Sequence, residues 1–131
     1  MSRLRELFGS GPGPIQPVPQ VTAADIERVV RRDFAEGQVD EALAILAEYG
    51  PQAWHREPAR VRLAALKLAN GTLDGLRQAI DRAKVDYRDV LAPAEYPRYT
   101  QFGFRARRLR SGVRQQIFSD DWQQYERWLK R

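Results

Sequence analysis

The stretch Ala59–Ala83 reads ARVRLAALKLANGTLDGLRQAIDRA, and two helical periodicities meet inside it. Val61, Ala64, Ala65 and Leu68 recur at i, i+3, i+4 and i+7, and Leu73, Leu76, Ile80 and Ala83 repeat that spacing after Asn70 and Gly71. Asn and Gly tolerate the backbone that ends a helix and reverses the chain. The spacing therefore predicts a helical hairpin with a two-residue turn, each helix burying one stripe against the other. Upstream, Gly50 and Pro51 stop a preceding helix, Gln52 to Glu57 read as an irregular link, and Pro58 suits a first helical turn.

The same signals extend toward the N-terminus. Thr22 is placed to cap a first helix with Asp25 in the reciprocal position and Val21 stapled on Ile26; Ile26, Val29, Val30 and Phe34 form its apolar stripe. Gly37 breaks that helix, and a second is expected from Val39 to Tyr49 through Val39, Ala42, Leu43 and Leu46. Before Val21 the chain is punctuated by Pro12, Pro14, Pro17 and Pro19 with three glycines, so residues 1–20 read as a flexible arm and 21–131 as a single helical domain. Ser2 to Phe8 can make only a short amphipathic turn, and the PxxP spacing Pro14 to Pro17 is read as linker.

Toward the C-terminus, Lys84 to Leu91 is expected to continue or restart a helix that Pro93 ends, and Gly103 and Gly112 bracket a further short helix over Phe104 to Ser111. A last helix is expected from Ser119, capped by its hydroxyl, with Asp120 and Asp121 at the positive end of the dipole and Trp122, Tyr125 and Leu129 buried. The fold class expected is all-α: two stacked antiparallel helical hairpins plus a C-terminal helix.

The two hairpins are related by an internal repeat. Ala35, Gly37, Val39 and Asp40 align with Ala69, Gly71, Leu73 and Asp74, and Leu46 with Ile80, at a spacing of 34 residues. That period, with glycine in the turn followed by an apolar residue and an acid, resembles the middle of a tetratricopeptide repeat, over roughly Ile26 to Ala83. The resemblance implies tetratricopeptide-like hairpins and a rigid helical face suited to protein contacts. Leu63 to Leu73, with Asp86 to Leu91 and Ala94 to Pro97, also resembles small bacterial helical proteins of uncharacterised function, a likeness that carries no activity over.

Composition narrows the chemistry. The 131 residues are 43% hydrophobic and 30% charged, enough for a folded domain. With no cysteine, disulfides and thiolate chemistry are excluded, and a reducing, cytoplasmic setting is the default. No apolar run reaches bilayer length and no signal-peptide core is present, so no membrane association is expected. His55 is the single histidine, beside Trp54 with no nucleophile near it in sequence, and reads as an ordinary loop residue. No nucleophile elbow, phosphate loop or metal-ligand set occurs, so neither enzymatic activity, a metal nor a small-molecule cofactor is expected. Asp86, Asp89 and Glu95 could pair for acid–base work, but Arg82 and Arg88 are nearby ion-pair partners for them.

The charge is uneven. Of a net +5, the segment from Pro97 to Ser119 carries Arg98, Arg105, Arg107, Arg108, Arg110 and Arg114 without one acid, so the remainder is close to neutral. Phe102 and Phe104 interleave with these arginines, and Tyr87, Tyr96 and Tyr99 precede or join them. Guanidinium groups grip carboxylate or phosphate in bidentate fashion and stack on planar rings. On the alternative reading, Arg105, Arg108 and the neighbouring aromatics pack on the bundle, neutralised by Glu41, Glu48 or Asp120. As a partner-binding set, these residues suit first an acidic protein surface anchored by the tyrosines, and second nucleic acid, although no helix-turn-helix or RNA-binding motif accompanies them.

Overall fold

The computed structural model describes residues 19–131. The arm expected before Val21 and its PxxP spacing lie almost wholly outside the described residues; Pro19, the first of them, is already buried. Seven α-helices follow: α1 (Ala23–Asp33), α2 (Val39–Ala47), α3 (Pro58–Ala69), α4 (Leu73–Val85), α5 (Arg88–Glu95), α6 (Pro97–Phe102) and α7 (Ser111–Lys130). Short 3-10 turns occupy Glu36–Gln38 and Gly103–Arg108, and no strand occurs among the described residues. The protein is all-α. None of the described helices is long and apolar enough to cross a membrane. The contacts divide the described chain into two compact units, Pro19–Ala94 and Glu95–Arg131.

In the first unit the local signals act as their chemistry dictates. Thr22 Oγ1 accepts from the Asp25 amide at 3.2 Å and the Asp25 carboxylate accepts from the Thr22 amide at 3.0 Å, a complete capping box. The helix ends at Asp33, and Gly37 lies in the 3-10 turn before α2. Helix α2 closes at Ala47 rather than Tyr49. The link to α3 is held by Arg62 Nε donating to the Tyr49 carbonyl at 2.8 Å and by the Tyr49 hydroxyl donating to the Arg56 carbonyl at 2.7 Å. Pro58 occupies the first turn of α3.

The turn after α3 has three residues rather than two, because Thr72 is the cap of α4 and accepts from the Gly75 amide at 3.0 Å. Asn70 and Gly71 both adopt positive φ, 51° and 76°. A Cβ on Gly71 would stand 2.8 Å from the Asp33 carbonyl oxygen, so the turn passes against the end of α1 where only glycine fits.

Helix α3 packs on both α1 and α4, and α4 also packs on α2. This double contact corrects the stripe expected for α3. Val61, Ala64 and Ala65 are buried as expected, but Leu63 and Leu66 are fully buried too, and Leu68 is 38% exposed. A helix with neighbours on two sides buries more than one stripe, and the helical period alone names one. Helix α5 runs through Pro93 to Glu95, correcting the expected stop: Leu91, Ala94 and Glu95 are buried around it.

In the second unit the last helix begins at Ser111, not at Ser119. Ile117, Asp121 and Tyr125 are buried at four-residue spacing, with Phe118 beside them, so one stripe runs straight through the expected start. Trp122 and Leu129, expected inside, are only half-buried. Asp121 therefore sits in mid-helix, fully buried, and its two oxygens accept from the backbone amides of Arg98 at 3.2 Å and Tyr99 at 3.0 Å. Those are the free donors of the first turn of α6, whose own cap residue Tyr96 provides no side-chain hydrogen bond. An acid expected to serve its own helix dipole instead caps another helix.

Candidate functional site: an arginine patch around Phe104

In the second unit α6 packs on α7 and on the 3-10 turn Gly103–Arg108. Gly103 enters that turn at a φ of 55°, and Ala106, 2% exposed, is its one buried residue. With Ala106 turned inward, the remaining side chains of this tight segment point outward: Arg105, Arg107 and Arg108 are all exposed, as is Arg110 just before α7. Phe104 is 86% exposed, and the Arg107 guanidinium lies 5.8 Å from its ring centroid. A cation over an aromatic face at this range is mildly attractive and pre-orders both groups. The helix expected over Phe104 to Ser111 is replaced by this turn and the extended residues Leu109 and Arg110.

Apart from Arg98, which pairs with Asp120, the charges in this region are not cancelled locally. Among the described residues, no carboxylate pairs with Arg105, Arg107, Arg108, Arg110 or Arg114. Of the acids suggested as neutralisers, Asp120 pairs with Arg98 of the same segment at 3.2 Å, Glu48 is engaged with Arg77 and Lys84 at 2.6 Å each, and Glu41 is exposed on α2. Arg114 is half-buried, and its Nε is buried without a hydrogen-bond partner among the described residues. The first turn of α7 contains no acid and has no side-chain cap, so the positive end of its dipole adds to the arginine charge.

The structure redistributes the aromatic residues expected to share this surface. Tyr96 is a correction: it is 2% exposed, edge-on to Phe118 at 5.3 Å, and belongs to the core because α6 places it at the base of the α6–α7 contact. Tyr99 stacks on Phe118 at 4.2 Å and is half-buried, as is Phe102. Tyr87 is half-buried in the first unit. Phe104 is thus the aromatic residue that the turn leaves exposed beside the arginines.

The remaining candidate groups are structural by geometry. His55 Nδ1 accepts from the Gly50 amide at 2.8 Å and the Gln52 amide at 3.4 Å, with its ring stacked on Tyr49 at 4.5 Å. Its lone pair is therefore committed to the backbone. Asp86 is gripped by Arg88 through two 3.0 Å bonds, which hold its carboxyl below the usual range, while Asp89 is exposed and Glu95 buried. Glu48 is held down to about 2, chiefly by the hydrogen bonds from Arg77 and Lys84. That cluster joins α2 to α4 over 29 and 36 residues of sequence, a separation that leaves no local signal. No group of three or more His, Asp or Glu side chains suited to a metal ion occurs among the described residues. No protein-family model, no curated protein and no solved structure matches the chain.

Proposed function

We propose that the protein is a non-enzymatic interaction module, of adaptor, inhibitor or immunity type, that docks an acidic protein surface on the Phe104 and arginine patch. The observation that carries this reading is the 86% exposure of Phe104 with the Arg107 guanidinium over its ring, beside Arg105, Arg108 and Arg110, which no described carboxylate neutralises. An exposed aromatic flanked by free guanidinium groups is the composition of an interface hot spot, and its electrostatics suit steering toward an acidic partner. The helix pairs α1–α2 and α3–α4, with Gly37 and Gly71 in their turns, support reading the first unit as a degenerate two-unit tetratricopeptide-like scaffold. The absence of cysteine supports placement in a reducing compartment such as the cytoplasm.

A second reading, single-stranded nucleic acid, is favoured by the same stacked pair, since an exposed ring and guanidinium planes also accept bases and phosphates. Titration over a salt series separates the two. The native chain and a variant with Ala at Arg105, Arg107, Arg108 and Arg110 are each titrated with labelled single-stranded RNA, duplex DNA and an acidic peptide containing an aromatic residue. The proposal expects peptide binding that survives near-physiological salt and is lost in the variant and in Phe104→Ala. Tight RNA or DNA binding that falls steeply with salt and disappears in the variant would replace it with the nucleic-acid reading.

A further inference from the structure

Ser111, the first residue of α7, follows Arg107, Arg108, Leu109 and Arg110, so arginine fills three of the four positions before it. It is exposed, and its hydroxyl makes no hydrogen bond among the described residues. The other described serine and threonine hydroxyls differ. Thr22 and Thr72 cap their helices, and Ser119 is half-buried and accepts from Gln123 at 3.5 Å. Thr100 is exposed, but Arg98 is the single arginine among the four residues before it.

The backbone around Ser111 suits an enzyme that reads an extended segment. Leu109 and Arg110 are extended, with ψ of 144° and 147°. Ser111, Gly112 and Val113 are exposed, the first buried side chain of α7 is Ile117, and a Cβ on Gly112 would have open space around it. A glycine in the first turn and a missing side-chain cap both weaken a helix end. The start of α7 can therefore unwind without disturbing the core. Arg107, Arg108 and Arg110 are exposed and have no described carboxylate partner, which leaves them able to pair with carboxylates lining an enzyme groove.

We propose that Ser111 is a phosphorylation site for an arginine-directed protein kinase, and that its phosphate closes the arginine patch to acidic partners; the second half rests on the docking reading above. In the transfer the Ser111 Oγ attacks the γ-phosphorus of a nucleoside triphosphate. The bond from that phosphorus to the β–γ bridging oxygen breaks, the diphosphate leaves, and the hydroxyl proton passes to the kinase's base. The product places a charge of roughly −1.5 to −2 among the arginines. It stands at the first turn of α7, where no acid or side-chain cap meets the free amides, and three residues before Arg114 on the same helix face. The Arg114 Nε has no hydrogen-bond partner among the described residues, so the phosphate finds acceptor-seeking groups within its own helix as well as in the patch.

The full chain is incubated with Mg·ATP and the catalytic subunit of cyclic-AMP-dependent protein kinase, and the modified residue is located by mass spectrometry. Phosphate is expected on Ser111, with none on Ser119 and less than a tenth as much on Thr100. Replacing Arg107 and Arg108 together by Ala should slow the transfer at least tenfold. Closure is read without any partner, from the arginine Nε–H signals of the nitrogen-15 labelled chain, assigned with single Arg→Lys variants. Phosphorylation should shift signals among Arg107, Arg108, Arg110 and Arg114, and Ser111→Ala treated in the same way should show no shift. The phosphorylated chain should then bind end-blocked Asp-Glu-Phe-Glu-Asp at least tenfold more weakly than the native chain, and phosphatase should restore binding.

No phosphate on Ser111, an unchanged rate in the double-arginine variant, unshifted arginine signals, or undiminished peptide binding after phosphorylation would each overturn the inference. A native chain that fails to bind the peptide, with phosphate on Ser111 and shifted arginine signals, would sink the docking reading alone and support the modified, closed patch.

Discussion

Asp121→Ala should be among the most damaging single changes in the second unit, although the residue stands on a long helix beside another acid. Asp121 is fully buried, and its oxygens accept from the Arg98 and Tyr99 amides at 3.2 and 3.0 Å. Hydrogen bonds to a charged group are worth roughly 1.5–3 kcal/mol each, and the truncation leaves two part-buried donors without that acceptor. Releasing a carboxylate from burial returns part of that, which brings the net expected loss to about 2–4 kcal/mol. The adjacent Asp120 pairs with Arg98 at 3.2 Å and with Gln116 at 2.8 Å near the surface, where such pairs contribute at most about 1 kcal/mol.

Urea unfolding followed by far-ultraviolet circular dichroism checks the contrast. With a slope of about 1–3 kcal/mol per molar urea, Asp121→Ala should lower the midpoint by about 1–2 M and Asp120→Ala by less than about 0.5 M. Amide exchange at Arg98 and Tyr99 should accelerate in the first variant and not in the second, and Asp121→Asn, which retains one acceptor oxygen, should fall between them. Equal losses for the two alanine variants, or native exchange rates at Arg98 and Tyr99 in Asp121→Ala, would refute the capping role.

Leu66→Ala, at a fully buried site, should cost about 2–5 kcal/mol, whereas Leu68→Ala, at a site 38% exposed, should cost about 1 kcal/mol because no closed cavity remains; the same urea assay distinguishes them. Gly71→Ala should destabilise by about 1–3 kcal/mol, since φ is 76° and the new Cβ would meet the Asp33 carbonyl at 2.8 Å; a thermal melt unchanged from native would contradict that close approach. Glu48 is depressed from 4.5 to about 2 in the folded state, so its contribution is complete above about pH 5 and is lost as pH falls toward 2. The stability difference between native and Glu48→Gln should accordingly be flat near neutrality, shrink through that acid window, and diminish in about 1 M salt because the cluster is partly exposed. Phe104→Ala should leave the melting temperature unchanged, as expected for a side chain 86% exposed; a clear drop would place the ring in a packing role instead.

Local chemistry carried much of the architecture into the sequence. The capping box at Thr22 and Asp25, the glycine at the α3–α4 turn, the proline opening α3 and the segregation of arginine after Pro97 all depend on residues within a few positions of each other, and each was legible there. The exposed Phe104 and its arginines were legible as a composition, but their presentation depended on Ala106 pinning a 3-10 turn, which no periodicity announces.

Tertiary structure alone decided which face of α3 is inside, since its burial comes from neighbours on two sides. It also decided that Tyr96 packs on Phe118 rather than facing a partner, and that Ser119 lies within a helix. Asp121 shows the physical reason most plainly. By sequence it is an acid suited to a helix start, and only a neighbouring helix with unpaired amides makes its burial favourable. Periodicity and caps are properties of a chain segment; burial and ion pairing belong to pairs of segments brought together by the fold.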